Sequence, residues 1–224
     1  MTTGNGAATA VNEDQVKYKT GKTSGKGVVE FAEPYAVEVS IAGTEVLLMH
    51  RWDTEAVAAK GRAKKGSAEK KSDNIESYCY RTADGELCIP GLNIKAAICE
   101  AARYMQDPRS PRKSARDLFR AGIKIKGDAL LGKDTWDFID TRKVNVQRNA
   151  VPRSRPAFNA GWSTDFVVSI LLPEYIDQDT LHQAIERAGR LVGVGDFRPD
   201  FGLFRIDSYK LMTDDDVKDR KKRK

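Results

Sequence analysis

Cysteine and histidine are scarce: Cys79, Cys88 and Cys99 are the only thiols in 224 residues, and there are two histidines. The three cysteines form no Cys-x-x-Cys pair and are odd in number, which argues against a disulfide framework and a zinc site and makes a reducing cytoplasm the expected setting. No segment approaches the roughly 18 consecutive apolar residues of a membrane span, and residues 1–27 lack the apolar core of a signal peptide. A soluble, cytoplasmic protein without membrane contact is expected. Nucleotide fingerprints are missing as well. The stretch Leu191 to Arg205 contains Gly193 and Gly195 but follows a helical pattern and precedes a strand-like one, with Arg198 where the third glycine of G-x-G-x-x-G would stand. Gly21-Lys22-Thr23 ends like a phosphate-binding loop, yet Val16 occupies the place of its first glycine. No cofactor and no metal site is therefore expected.

What is present is positive charge. Lys and Arg number 38 against 32 Asp and Glu, a formal charge of +6, and such an excess favours polyanions. The cations gather in loop-like stretches, where they can reach a phosphate backbone. Residues 1–27 are Gly, Thr, Ala and Lys with few large apolar groups, the composition of a disordered arm. Residues 213–224 read as a charged, solvated tail. Residues 28–212 between them are expected to form one domain.

In that domain Val37, Val39 and Ile41 alternate with Ala36, Glu38 and Ser40, the period of a half-buried strand. Asp53 to Asn74 is a long irregular stretch carrying Lys60, Arg62, Lys64 and Lys65, and a loop of this length implies a use. Asp84-Gly85 marks a hairpin turn between Tyr78–Thr82 and Glu86–Ile89. After Pro90-Gly91, the apolar positions Ile94, Ala97, Ile98, Ala101 and Met105 form a helical stripe that Pro108 and Pro111 end. Residues 121–126, 138–140 and 144–146 favour strand. Gln147 to Ser163 reads as a second irregular stretch, with Arg148, Arg153, Arg155, Phe158 and Trp162 among two prolines. Phe166–Leu172 is a buried strand, Asp179-Thr180 can cap a helix whose face is Leu181, Ala184, Ile185, Ala188, Leu191 and Val192, and Leu203–Leu211 closes the domain as a strand. The order is βαββαβ, an α+β fold of the ferredoxin-like or RNA-recognition (RRM-like) type, with basic insertions at about 53–75 and 147–163 and a glycine-rich loop from helix to strand.

Two motifs in this order carry a family likeness. The Gly193–Gly202 loop resembles the glycine-rich loop of the RAMP superfamily, which lies between the second helix and the last strand. Ile89-Pro90-Gly91-Leu92-Asn93-Ile94-Lys95 is similar to the Ile-Pro-Gly-Ser-Ser-Leu-Lys-Gly segment that opens the first helix in backbone subunits of CRISPR effector complexes, with Leu92-Asn93 in place of the serines and Ala96 in place of the glycine. The resemblance implies subunits that line up along a guide RNA in antiviral defence, with Asp53–Asn74 as a finger and Gln147–Ser163 as a thumb. It also implies self-association along the strand and contact with other effector-complex subunits.

The residues point to single-stranded RNA or DNA by themselves. Arg51, Lys60, Arg62, Lys64, Lys65, Lys95, Arg148, Arg153, Arg155 and Arg198 can neutralise phosphates, while Trp52, Phe158 and Trp162 offer faces on which unpaired bases can stack. Taken singly, Trp52 and Trp162 suit a core position better. The cluster Arg148, Arg153 and Arg155 reads as binding because no carboxylate stands between residues 142 and 161. Catalysis is not expected. The enzymatic alternative is RNA cleavage, metal-dependent or not, by His50 or Asp53, since His182 lies on the polar face of its helix. A third alternative is a protein-binding mimic or regulator of such complexes.

Overall fold

In the computed structural model, which describes residues 32–62, 74–146, 149–213 and 216, the expected first strand is β1, Tyr35–Gly43. Val37, Val39 and Ile41 are fully buried, and Glu38 and Ser40 point to the other face. Next come β2 (Leu47–Leu48) and α1 (Thr54–Arg62). α1 corrects the expectation of an irregular stretch: the Asp53 carboxylate accepts the Glu55 N–H at 2.9 Å and caps the helix. The chain continues through β3 (Cys88–Ile89), α2 (Gly91–Ala101), β4 (Gln106–Asp107), β5 (Ser110–Ser114), α3 (Arg116–Gly122), β6 (Ile123–Lys126) and β7 (Ala129–Leu130). It ends with β8 (Phe138–Val146), β9 (Asn149–Phe158), β10 (Ser163–Ile170), α4 (Gln178–Leu191) and β11 (Phe204–Leu211). The expected arm at 1–27 and nearly all of the tail lie outside the described residues.

The fold is α+β with antiparallel sheets. Four strands pair in the order β11-β1-β10-β6, β1 aligning Val37 with Val168 and Val39 with Phe166 on β10. α2, α3 and α4 pack together on one face of this sheet. The helical stripes lie where expected: Ile94, Ala97, Ile98 and Ala101 of α2 and Leu181, Ala184, Ile185 and Ala188 of α4 are buried. The cap of α4 is Asp177, two residues earlier than expected, its carboxylate accepting Thr180 N–H at 2.7 Å. On the far face of the sheet the rows read Lys210, Glu38, Val167, Lys126 and Ser208, Ser40, Asp165, without an aromatic ring.

The second expected irregular stretch is a strand. β9 pairs with β8 from Phe138 opposite Ala157 to Val146 opposite Asn149, and its base pairs with β2, Leu47 opposite Phe158. Beyond that base β9 has no second neighbour among the described residues, so its two prolines, Pro152 and Pro156, sit on an edge strand, where they are admitted. This pairing also corrects the stacking role expected of two aromatics. Phe158 is fully buried and Trp162 is 2% exposed, because both join the core between β1, β2 and β9. Trp162 donates its indole N–H to the Glu45 carbonyl at 2.9 Å, and Gly43 has no side chain at the place the indole fills.

Trp162→Ala therefore removes a buried ring and a buried hydrogen bond, and should lower stability by about 3–5 kcal/mol. Urea unfolding of the purified variant, with the midpoint and slope measured against the parent chain, checks this.

Candidate nucleic-acid interface

The candidate site is built around the loop from α4 back to β11. After α4, Gly193 takes a φ of +73° and its N–H donates to Ala188 O at 2.8 Å, the reversal that ends the helix. The loop then lies on β2 and the turn before it: Asp196 N–H donates to Leu48 O at 2.8 Å, and Gly202 N–H to Val46 O at 2.8 Å. Gly195 and Gly202 have φ of +84° and +70°. A Cβ at these positions would run into the carbonyls of Leu48 and Val194, so both the dihedral and the close approach require glycine.

The loop forms one wall of a cleft of about 950 Å³ whose other walls are α2 and α3. Lys95 reaches it from α2, Arg116 and Arg120 from α3, Arg198 from the loop, and Tyr104 from the turn after α2. Lys95 and Arg198, singled out on two separate motifs, are thus brought together. Tyr104 was missed in the sequence because its exposure depends on the turn that ends α2, and Arg116 and Arg120 because the short helix α3 was read as the approach to a strand. Their signal was the i, i+4 spacing of two arginines beside the buried pair Leu118-Phe119. Two carboxylates also face the cleft, Glu100 and Asp196. Glu100 accepts from Arg103 and lies 3.3 Å from Arg116 Nη2. The Arg103 hydrogen bond keeps its carboxyl below the usual range.

Asp196 is neutralised from behind the loop rather than by the cleft. Its carboxylate accepts from Arg155 Nε, and His50 Nδ1 lies 3.5 Å from the same oxygen. Burial works against the charged form, but His50, the Arg155 charge and the Phe197 N–H outweigh it and hold the Asp196 pKa down to about 2. The Arg155 guanidinium also stacks on Phe197, 4.3 Å from the ring centre. Arg142, held by Asp140 through two bonds of 2.6 and 3.0 Å, stacks on Phe201 at 4.2 Å. Arg155 is therefore corrected from a phosphate grip to a buried structural cation, 6% exposed. Its carboxylate partner lies 41 residues away in sequence, beyond the stretch in which none was found.

The other sequence candidates scatter. Arg51 and Trp52 are exposed after β2, Trp52 at 71%. Arg62 is exposed at the end of α1, and Arg153 is half-buried on β9 opposite Arg142. Lys60 lies in α1, though its side chain is outside the described residues, as are Lys64, Lys65 and Arg148 altogether. His182, expected to be solvated, is half-buried against Tyr209 with ring centres 5.0 Å apart. Among the described residues no group of three His, Cys, Asp or Glu is placed to hold a metal ion, and no helix is long and apolar enough to cross a membrane.

No family model matches the sequence, and comparison with curated proteins finds no match. Among solved structures the chain is similar to two at low identity. One is in the cryo-EM structure of the type III-B Cmr-beta complex bound to cognate target RNA, with 11% identity, a TM-score of 0.48 and 80% of this chain covered. This chain spans 61% of that chain's length. The other is Cmr6 from Pyrococcus furiosus, with 9% identity, a TM-score of 0.43, and 78% of this chain and 98% of that one covered.

The Asp196 clamp has a pH signature. Its carboxyl titrates lower folded, about 2, than in an open chain, 3.8, so the clamp stabilises the fold above pH 4 and is lost as pH falls from about 4 to 2. The expected contribution is about 1–2 kcal/mol after discounting for solvent. Asp196→Asn should be less stable at pH 7, because Arg155 loses its counter-charge, and should unfold with a flatter pH dependence in that window. Thermal melts of both chains from pH 7 to pH 2 read the difference.

Proposed function

We propose that the chain is a sequence-tolerant binder of single-stranded nucleic acid, RNA in preference, and that the strand lies in the cleft between α2, α3 and the glycine-rich loop. The observation that carries this reading is the convergence of Lys95, Arg116, Arg120 and Arg198 on one cleft. Four cations on three separate elements can each displace a counterion from a phosphate. Among the described residues no Asn or Gln lines the cleft to read adenine edges, and its cations suit phosphate contacts along the backbone. The strand order β11-β1-β10-β6, with helices on one face, supports a ferredoxin-like βαββαβ domain. The aromatic-free far face of that sheet speaks against base stacking of the RNA-recognition-motif type.

The likeness of Ile89–Lys95 and Gly193–Gly202 to RAMP motifs extends the proposal. The chain works as a repeating subunit along an RNA, in a CRISPR-type ribonucleoprotein with other subunits. The basic hairpin of β8 and β9 and the stretch around α1 would be further grips. On this reading it acts without cleaving, His50 resting beside Asp196 at 3.5 Å and Asp53 capping α1.

Filter binding to labelled single-stranded RNA over rising salt tests the reading. Affinity should fall steeply, and Lys95→Ala, Arg120→Ala and Arg198→Ala should each weaken binding and reduce the log–log slope by about 0.7. Complexes should grow by whole subunits as the strand lengthens, and the RNA should stay intact with or without magnesium. A salt-independent affinity overturns the binding reading. Cleavage abolished by His50→Ala overturns the non-catalytic one.

A further inference from the structure

Tyr104 ends the turn after α2, and its side chain is 66% exposed at the cleft. Its backbone is fixed all the same. Arg187 Nη1 donates to the Tyr104 carbonyl at 2.8 Å, Met105 N–H closes the turn onto Ala102 O at 3.1 Å, and Ala115 N–H reaches Met105 O at 2.8 Å. A fixed backbone leaves the ring only the χ1 and χ2 rotamers of a tyrosine to lose, and Tyr gives up little entropy on ordering compared with long flexible side chains.

Most other aromatics near the cleft and the hairpin are occupied; Phe138 on β8 is 38% exposed but does not line the cleft. Phe158 and Trp162 are in the core, the Phe197 and Phe201 rings lie under Arg155 and Arg142, and Tyr175 lies 5.5 Å under Arg109. Trp52 is exposed but does not line the cleft. Among the described residues no other ring or guanidinium lies over Tyr104, and the cations of the cleft are its neighbours along the walls.

From this placement, and resting on the cleft being the nucleic-acid site, we infer that Tyr104 is the base platform. An unpaired base stacks on the phenol ring while Lys95, Arg120 and Arg198 hold the flanking phosphates. The ring then determines strand specificity. In a duplex each base face is covered by its neighbours, so only a single strand can offer one to Tyr104. The ring carries no base-edge code, which keeps the site tolerant of sequence.

The test uses the full chain with Tyr104→Ala, Tyr104→Phe and Lys95→Ala, and a single-stranded RNA carrying 2-aminopurine. Wild type and Tyr104→Phe should quench the probe. Tyr104→Ala should bind about 5- to 150-fold more weakly, with an unchanged salt slope, no quenching and a narrowed preference for single strand over duplex. Lys95→Ala should show the reverse: a shallower slope with quenching kept at saturation. On an abasic strand the gap between wild type and Tyr104→Ala should close. The inference is overturned if Tyr104→Ala binds and quenches like wild type, if its loss is as large on the abasic strand, or if Tyr104→Phe is equally damaged. Wild-type binding that ignores salt overturns the cleft reading itself, and this inference with it.

Discussion

The seating of the glycine-rich loop on β2 is the constraint on which the rest depends. Two backbone hydrogen bonds, from Asp196 to Leu48 and from Gly202 to Val46, fix the loop at a distance only glycine permits at positions 195 and 202. That seating places Arg198 opposite Lys95 and turns Phe197, at the rarely populated φ of +54°, beneath Arg155. The chain then enters β11 in register with β1. A residue such as Phe197 holds its backbone conformation only where its surroundings over-determine it. Here the Asp196 clamp on one side and the stacked guanidinium on the other do so.

The same arrangement sorts the basic residues into two kinds. Arg81, Arg109, Arg142, Arg155 and Arg205 each contact a carboxylate. Their charge is largely cancelled at a distance, and they hold turns, the hairpin and the loop in place. Lys95, Arg120 and Arg198 make no salt bridge among the described residues, and they share one cleft. Exposed ion pairs contribute little to stability, so leaving these three unpaired costs the fold little and gives the cleft its field. Asp196 would weaken that field if it were not answered from behind by Arg155 and His50.

Side-chain periodicity made much of the framework legible in advance. β1, α2 and α4 each show an apolar spacing that their burial follows, with Leu191, exposed at the last turn of α4, an exception, and β10 shows an apolar run that is largely buried. α3 escaped notice because seven residues are too few to show a period, and β9 because its prolines imitate a loop. The site was less legible for a different reason. Whether Phe158 stacks on a base or fills the core depends on its pairing with Leu47 across more than a hundred residues. Whether Arg155 is free depends on Asp196 in a loop that local composition does not connect to it. Lys95 and Arg198 were visible because their motifs are local; Tyr104 was not, since its exposure follows from the turn that ends α2.

On the proposed reading, a small four-stranded sheet with helices on one face has two broad places to hold a strand, and the pairing of its charges and the placing of its rings distinguish them. On the far face Glu38 lies between Lys210 and Val167, and Asp165 beside Ser40. A phosphate backbone laid there meets Glu38 and Asp165 among Lys124, Lys126, Arg205 and Lys210, with no ring to receive a base among the described residues. On the helical side Glu100 is tied to Arg103 and Arg116, Asp196 is answered from behind the loop, and the remaining cations are free to act at range. The two sides thus differ in how far their charge is cancelled and in whether a ring is offered, and the approach of a polyanion responds to the summed field rather than to single contacts. On the proposed reading, the helices that bury the core thus also set the side from which a strand would approach.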